Sequence, residues 1–202
     1  MTVVWTTQPA PISPAVPFAV RAERASDVVA REALLDACFG ANRQQRTCQR
    51  LRDGRAPADG LALSAVARGK LVGTVRLWHV SAGGTRALVL GPLAVDSAFR
   101  SKGVGAALIT CALAAARARG HRAVLLLGDA AYYGRFGFSA EKTAALRMPG
   151  PFERHRLLGL ELVPNALKGA RGLLRAANAM SEADLEHLQQ AASAAFNTIR
   201  QA

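Results

Sequence analysis

The segment Arg100-Ser101-Lys102-Gly103-Val104-Gly105-Ala106 carries the clearest chemical signal in the sequence. It stands between an apolar stretch ending at Val95 and an Ala- and Leu-rich stretch of helical composition beginning at Val104. A glycine-rich turn that opens a helix aims several unpaired backbone N–H groups at one point, and the positive end of the helix dipole adds to them. Arg100 and Lys102 set full positive charges beside the turn, so the expected ligand carries phosphate rather than a single carboxylate.

The glycine spacing narrows the phosphate ligand. A triphosphate loop requires Gly-x-x-x-x-Gly-Lys-Ser/Thr, which occurs nowhere in the chain. A dinucleotide fingerprint requires a third glycine where Leu108 stands, and its first glycine belongs directly after the strand, whereas residues 96–102 intervene here. The nearest acidic candidate for a ribose, Asp129, also lies beyond the roughly 20 residues that fingerprint expects.

The elements that must position this turn can be read from periodicity. A short strand is expected at 18–21, then a helix capped by Ser26 or Asp27 and running to about Phe39, with Val28, Leu34, Leu35 and Cys38 on one face and Gly40 ending it. Residues 42–60 are Arg-rich; Arg43, Arg46 and Arg50 are spaced to share one helical face, for which a solvated surface is the bland alternative. Strands at 61–67, 71–81 and 87–95 form an antiparallel meander through Arg68-Gly69-Lys70 and Gly83-Gly84. Gly91-Pro92 interrupts the third strand, and since proline cannot donate to a ladder, the sheet is expected to bulge or split there. A helix at 104–119 closed by Gly120, then an apolar run at 123–127, makes a strand–helix–strand crossover and hence a parallel pair. A short helix near 130–136 and a last strand at 157–162 complete a mixed α/β sheet.

The expected domain map is a Pro-rich extended lead at 1–17, a folded domain at 18–165 and a helical C-terminal extension at 166–202. In the extension Ser181 is a candidate N-cap and Leu185, Leu188, Ala192, Ala195, Phe196 and Ile199 form one apolar stripe. Such a stripe needs cover, from the domain itself or from a second subunit in a homodimer.

Composition bounds the partners. The 202 residues carry a formal charge of +12, which favours an acidic partner such as a nucleotide cofactor, a nucleic acid or an anionic substrate. Only four of the 26 basic residues are lysines, a bias that genomic base composition can also produce, and the interleaved aromatics of a single-strand nucleic-acid platform are absent. Cys38, Cys48 and Cys111 are odd in number and widely spaced, so neither a disulfide framework nor a metal site is expected. Cys111, in register with Val104, Leu108 and Ala115, is expected to be a small buried thiol. No apolar run approaches the roughly 18 residues of a membrane span, and no signal peptide is evident, so a soluble cytoplasmic protein is expected.

With Leu90-Gly91-Pro92-Leu93-Ala94-Val95 ahead of Arg100-x-x-Gly103-x-Gly105, and Tyr132-Tyr133-Gly134-Arg135-Phe136-Gly137-Phe138 after it, the chain resembles the GNAT superfamily of N-acetyltransferases, most closely its bacterial YhbS-like branch. The resemblance spans roughly 18–165 and implies acetyl-coenzyme A as donor, with no metal. It implies that the pyrophosphate sits on the turn formed by Arg100, Ser101, Lys102, Gly103, Val104, Gly105 and Ala106. The pantetheine arm then pairs with the backbone of Leu93, Ala94 and Val95. The tyrosine four residues before the Gly-Phe pair is Tyr133, which would protonate the departing thiolate; packing aromatics are the bland reading of Tyr132 and Tyr133.

Two features depart from the family pattern. The strand at 87–95 lacks a carboxylate to serve as general base, and Leu126-Leu127-Gly128-Asp129 stands where many members carry an asparagine. Glu32, Asp36, His79 and His155 remain as base candidates, with His79 beside Trp78 foremost, and an amine arriving neutral needs none. Arg43, Arg46, Arg50, Arg52 and Arg55 against Asp53 alone imply an acceptor amine with negative charge beside it. Two other readings fit the same fold: a module that only senses acetyl-coenzyme A, and a basic nucleic-acid-binding protein.

Overall fold

The computed structural model describes residues 17–178. The elements are β1 (Ala19–Ala22), α1 (Val28–Phe39), β2 (Ala62–Ala67), β3 (Lys70–Ala82), β4 (Thr85–Val95), α2 (Val104–Ala118), β5 (Ala123–Leu127), the one-turn α3 (Ala130–Tyr133), β6 (Leu146–Arg147), β7 (Leu157–Glu161) and β8 (Gly172–Ala176). The strands lie in the order β1-β2-β3-β4-β5-β7, with β8 added to β3 and β6 to β8. The expected meander is present, and β4 and β5 pair in parallel across the α2 crossover.

Period-two alternation sorts the strand side chains onto two faces. Val75, Leu77, Leu88, Leu90, Val124 and Leu126 pack on one side, under the α2 residues Val104, Leu108, Ile109, Ala112, Leu113 and Ala116. Trp78, Val80, Val89 and Leu125 turn to the other side, against Leu51, Leu146, Leu157 and Leu174. Helix α1 places Leu34 and Leu35 on Ala94. The stripe that α2 buries runs through Ile109, Ala112 and Ala116, which leaves Cys111 outside it. That thiol is exposed, contrary to the burial expected from its register with Val104.

Two further expectations are corrected. Residues 172–176, assigned by composition to a helical extension, form strand β8, which pairs Val80, Ser81 and Ala82 of β3 with Ala176, Arg175 and Leu174. Strand β3 is long enough to run past β2, whose pairing ends at Arg76, and so exposes an edge that β8 covers. The Arg-rich stretch is not one helix but two 3₁₀ segments, Ala41–Gln45 and Thr47–Leu51, separated by extended Arg46. The apolar stripe from Leu185 to Ile199 and the Pro-rich lead before residue 17 lie outside the described residues.

Asp27 shows how β1 is tied to the start of α1. Its carboxylate takes a fork from Arg21 Nη1 and Nη2 at 2.6 and 2.8 Å, and hydrogen bonds from Arg24 N and Ser64 Oγ at 2.9 Å. The side chain makes no cap bond to α1 itself. The Arg21 hydrogen bond outweighs burial and holds this carboxyl well below the ordinary carboxylate range. A depressed folded-state pKa adds stability above the unfolded value near 4 and withdraws it as pH falls below that value. Asp27→Asn is therefore expected to cost about 2 kcal/mol at neutral pH, with the gap from wild type closing in melts taken below about pH 4.

Candidate active site

The split in the sheet builds the site. Strand β4 pairs with β5 only at Leu88 and Val89, so its edge from Leu90 onward has no β5 partner. On the β3 side Val75 faces Leu93 and Leu77 faces Leu90, so β4 carries one extra residue there. Gly91 takes a φ of +136°, open to glycine alone. Its carbonyl accepts a 2.6 Å bond from Trp78 Nε1, which fixes the bulge against β3. Pro92 supplies no N–H, so nothing at this position recruits a neighbouring strand.

Beyond the split lies a cleft of about 1000 Å³. It is lined by residues 90–93 of β4, residues 127–129 at the end of β5, Tyr133, α1 at Glu32, Leu35 and Phe39, the two 3₁₀ segments, and residues 151–153 and 156. At the opposite end of the open edge, Val95 touches the start of α2. A Cβ on Gly105 would lie 3.6 Å from Val95 Cγ2 and 3.0 Å from the Tyr132 hydroxyl, so glycine keeps this turn open.

The turn has the geometry of an anion cradle. Gly103 caps α2 with a φ of +81°, and the first amide of the helical ladder is that of Ala107, on Gly103 O at 2.9 Å. The amides of Val104, Gly105 and Ala106 precede that ladder and point out of the helix end. Val104 buries its side chain in the core while its amide stays at the turn. Arg100, Ser101 and Lys102 are exposed, and Lys102 Nζ rests 5.3 Å above the Phe99 ring.

The two tyrosines are separated by function of place. Asp129 caps α3 by accepting from Ala131 N at 2.9 Å, and this single turn sends Tyr133 into the cleft and Tyr132 to the cradle. Tyr133 packs edge-on to Tyr132 and Phe138, at centroid distances of 5.0 and 5.9 Å. Burial, reinforced by Tyr132, pushes its phenol up to about 12. Arg135 stacks on the Tyr132 ring at 4.2 Å.

Gly128 is a site residue that sequence reasoning passed over. A Cβ there would come within 2.3 Å of Tyr133 Cε2 and 2.8 Å of Leu126 Cδ1, so the Tyr133 ring can occupy its place only over a glycine. For the acetyl transfer that the resemblance implies, Gly128→Ala is expected to lower turnover roughly 10- to 100-fold by displacing that ring, with affinity for acetyl-coenzyme A retained. Steady-state kinetics beside equilibrium binding would check it.

Of the base candidates only Glu32 lines the cleft. Burial pushes its carboxyl up, but hydrogen bonds from Arg31 and Arg43 outweigh this and hold it below its ordinary value. Asp36 is engaged by Arg43 Nε at 2.6 Å. His79 lies off the cleft with its ring 5.4 Å from that of His121, its pKa lowered by burial and by Arg86. His155 is exposed, 3.4 Å from Glu153. Strand alternation explains His79, since Arg76 and Trp78 face the cleft and the next residue faces away. Among the described residues no group of three or more His, Cys, Asp or Glu stands together as a metal site, and no helix is long and apolar enough to cross a membrane.

The profile of the acetyltransferase (GNAT) family matches residues 29–138. The uncharacterized N-acetyltransferase YhbS of Escherichia coli strain K12 is 33% identical over 166 residues, 77% of this chain and 93% of that protein. The chain belongs to the GNAT acetyltransferase family. A GNAT structure of YhbS from Escherichia coli in complex with CoA superposes with a TM-score of 0.68 at 29% identity, covering 82% of this chain and 92% of that one. A GNAT acetyltransferase from Brucella melitensis in complex with acetyl-CoA gives 0.57 at 27% identity, over 74% of this chain and 90% of that one. The mixed sheet, split where β4 and β5 pair in parallel, is thus a GNAT fold, as the sequence motifs implied, and relatives of that fold were crystallised with CoA or acetyl-CoA.

Proposed function

We propose that the chain is an acetyl-coenzyme A-dependent N-acetyltransferase that moves an acetyl group to a primary amine by direct attack, with donor and acceptor in the cleft together. The observation that supports this reading is order along β4: the edge that β5 leaves unpaired begins at Leu90, on the cleft that Tyr133 lines, and ends at Val95, beside the Gly105 turn. The amides of Val104, Gly105 and Ala106 hold the pyrophosphate, framed by Arg100, Ser101, Lys102 and Gly103. Leu93, Ala94 and Val95 receive the pantetheine arm as an added strand, since β5 leaves their edge unpaired. A backbone amide on this edge meets the carbonyl oxygen as negative charge grows on it.

Tyr133 gives its proton to sulfur as the carbon–sulfur bond breaks. The amine, entering neutral, loses one proton as the carbon–nitrogen bond forms, and that proton restores the phenol, so atoms and charge balance without a metal. A low-pKa Glu32 is a poor base, which fits an acceptor that has already lost its ammonium proton.

The test is thiol release from acetyl-coenzyme A with a panel of amines, together with donor binding. Turnover of an amine is expected; saturable acetyl-coenzyme A binding with no turnover of any amine would leave a donor-sensing module instead.

A further inference from the structure

The cleft that Tyr133 lines also holds cations that no ion pair among the described residues neutralises. Three of its arginines are matched: Arg43 by Glu32 and Asp36, Arg76 by Glu23, and Arg156 by Glu153 at 3.7 Å. Asp129, on the same cleft, is spent on the α3 cap. Arg46, Arg50 and Arg52 also line it; among the described residues no carboxylate forms an ion pair with any of them, and Asp53 acts on Arg52 only through space.

These three are held in place by contacts that leave N–H groups over. Arg46 lies 5.1 Å above the Phe39 ring, which fixes its plane and spares its edge. Arg50 donates from Nη1 to Pro149 O at 2.7 Å, and Arg52 from Nε to Cys48 O at 3.1 Å. A guanidinium has five donors, so each tether uses one and leaves a fork. Arg46, Arg50 and Arg52 stand in and beside the Thr47–Leu51 segment, and all three line the same cleft. Arg46 and Arg50 are exposed and Arg52 is half-buried, so solvent reaches them in the free protein, and an anion entering the cleft meets three guanidinium forks there.

The donor's phosphates do not supply that anion, because the cradle adjoins Val95, whereas the arginines line a cleft shared with residues 90–93 and with none of residues 100–106. A single carboxylate is filled by one fork. A phosphate monoester carries close to two charges at neutral pH and presents three acceptor oxygens, enough for three arginines.

We propose that the acceptor is a small amine carrying a phosphate monoester, its phosphate seated on Arg46, Arg50 and Arg52 and its amine turned toward Tyr133. The proposal rests on the N-acetyltransferase reading of the same cleft, and binding separates the two. With coenzyme A saturating the donor site, calorimetry is run with inorganic phosphate, O-phosphoethanolamine, ethanolamine and glutamate. Both phosphates are expected to bind, with O-phosphoethanolamine at least about tenfold tighter than ethanolamine or glutamate. In Arg46→Gln/Arg50→Gln that affinity falls roughly 30- to 100-fold while the affinity for coenzyme A stays put. Lys70→Gln/Arg117→Gln, two exposed cations outside the cleft, loses the same net charge and should change little.

Absence of phosphate binding, equal affinity for O-phosphoethanolamine and ethanolamine, tighter glutamate, or unchanged affinity in the arginine variant each overturns the proposal. Arginine-dependent phosphate binding without acetyl transfer would remove the enzymatic reading and keep the anion site. Acetyl transfer indifferent to phosphate would do the reverse.

Discussion

Tyr133→Phe is expected to slow acetyl transfer about 10²–10³-fold while leaving coenzyme A affinity within about twofold. The ring fills the same space in either residue, so packing against Tyr132 and Phe138 persists and only the hydroxyl is lost. A phenol pushed up to about 12 by burial is protonated throughout the neutral range, so the donor form needs no preparatory step. The pH profile should therefore rise with deprotonation of the acceptor amine and show no fall assignable to this phenol below about pH 11. The same shift predicts a stability effect of definite sign: the unfolded chain ionises near pH 10 and the folded one later, so wild type loses stability across that window. Tyr133→Phe should flatten this loss. Tyr132→Phe is the internal comparison, because its hydroxyl lies by Gly105 and not in the cleft; it should raise the KM for the donor and spare kcat. A loss below about threefold in Tyr133→Phe, or an equal kcat loss in Tyr132→Phe, would remove Tyr133 from the chemistry.

What the sequence made legible was local. Period-two runs and turn pairs located the meander, Gly91-Pro92 located the split, and Gly103 with Gly105 located the cradle, because each depends on residues adjacent in the chain. What it hid was set by partners far away. Residues 172–176 read Gly-Leu-Leu-Arg-Ala, without the β-branched residues that mark a strand, and become one only because β3 offers a bare edge at residues 80–82. The cleft arginines appeared as one helical face because spacing alone cannot show that Arg46 is extended and that Arg43 turns back to Glu32 and Asp36. Motif spacing favoured Tyr133 over Tyr132 without saying where either side chain goes; the α3 turn puts Tyr133 in the cleft and Tyr132 beside Gly105. Gly128 gave no signal, since its need is for space beside a ring five residues on.

Glu23 is the other residue whose loss should be felt strongly, and no local pattern pointed to it. Its backbone N donates to Ala62 O at 2.9 Å, fixing it beside β2, while its carboxylate takes Arg31 Nη1 at 2.6 Å from α1 and Arg76 Nε at 2.9 Å from β3. The side chains of Glu23 and Arg31 are 9% and 7% exposed, so the pair is desolvated. The charge chain continues from Arg31 to Glu32 at 2.6 Å, then to Arg43 and Asp36, which carries it to the cleft. Glu23→Gln keeps the shape and removes the charge, taking from Arg76 its one carboxylate and from the buried Arg31 one of its two. Breaking such a pair costs about 3 kcal/mol or more, a fall in Tm of roughly 6–12 °C for a domain of this size. Because the pair is buried, the loss should persist at high salt, whereas Lys142→Gln, which removes the half-exposed partner of Glu161, should cost under about 1 kcal/mol. The variant should also weaken the donor site: Arg76 stacks 5.8 Å from the Trp78 ring, and Trp78 holds the Gly91 carbonyl that shapes the open edge. A higher KM for acetyl-coenzyme A at nearly unchanged kcat is the expected signature of an edge that is intact but less firmly held. Equal stability losses in the two variants would show that burial does not set the strength of the Glu23 network.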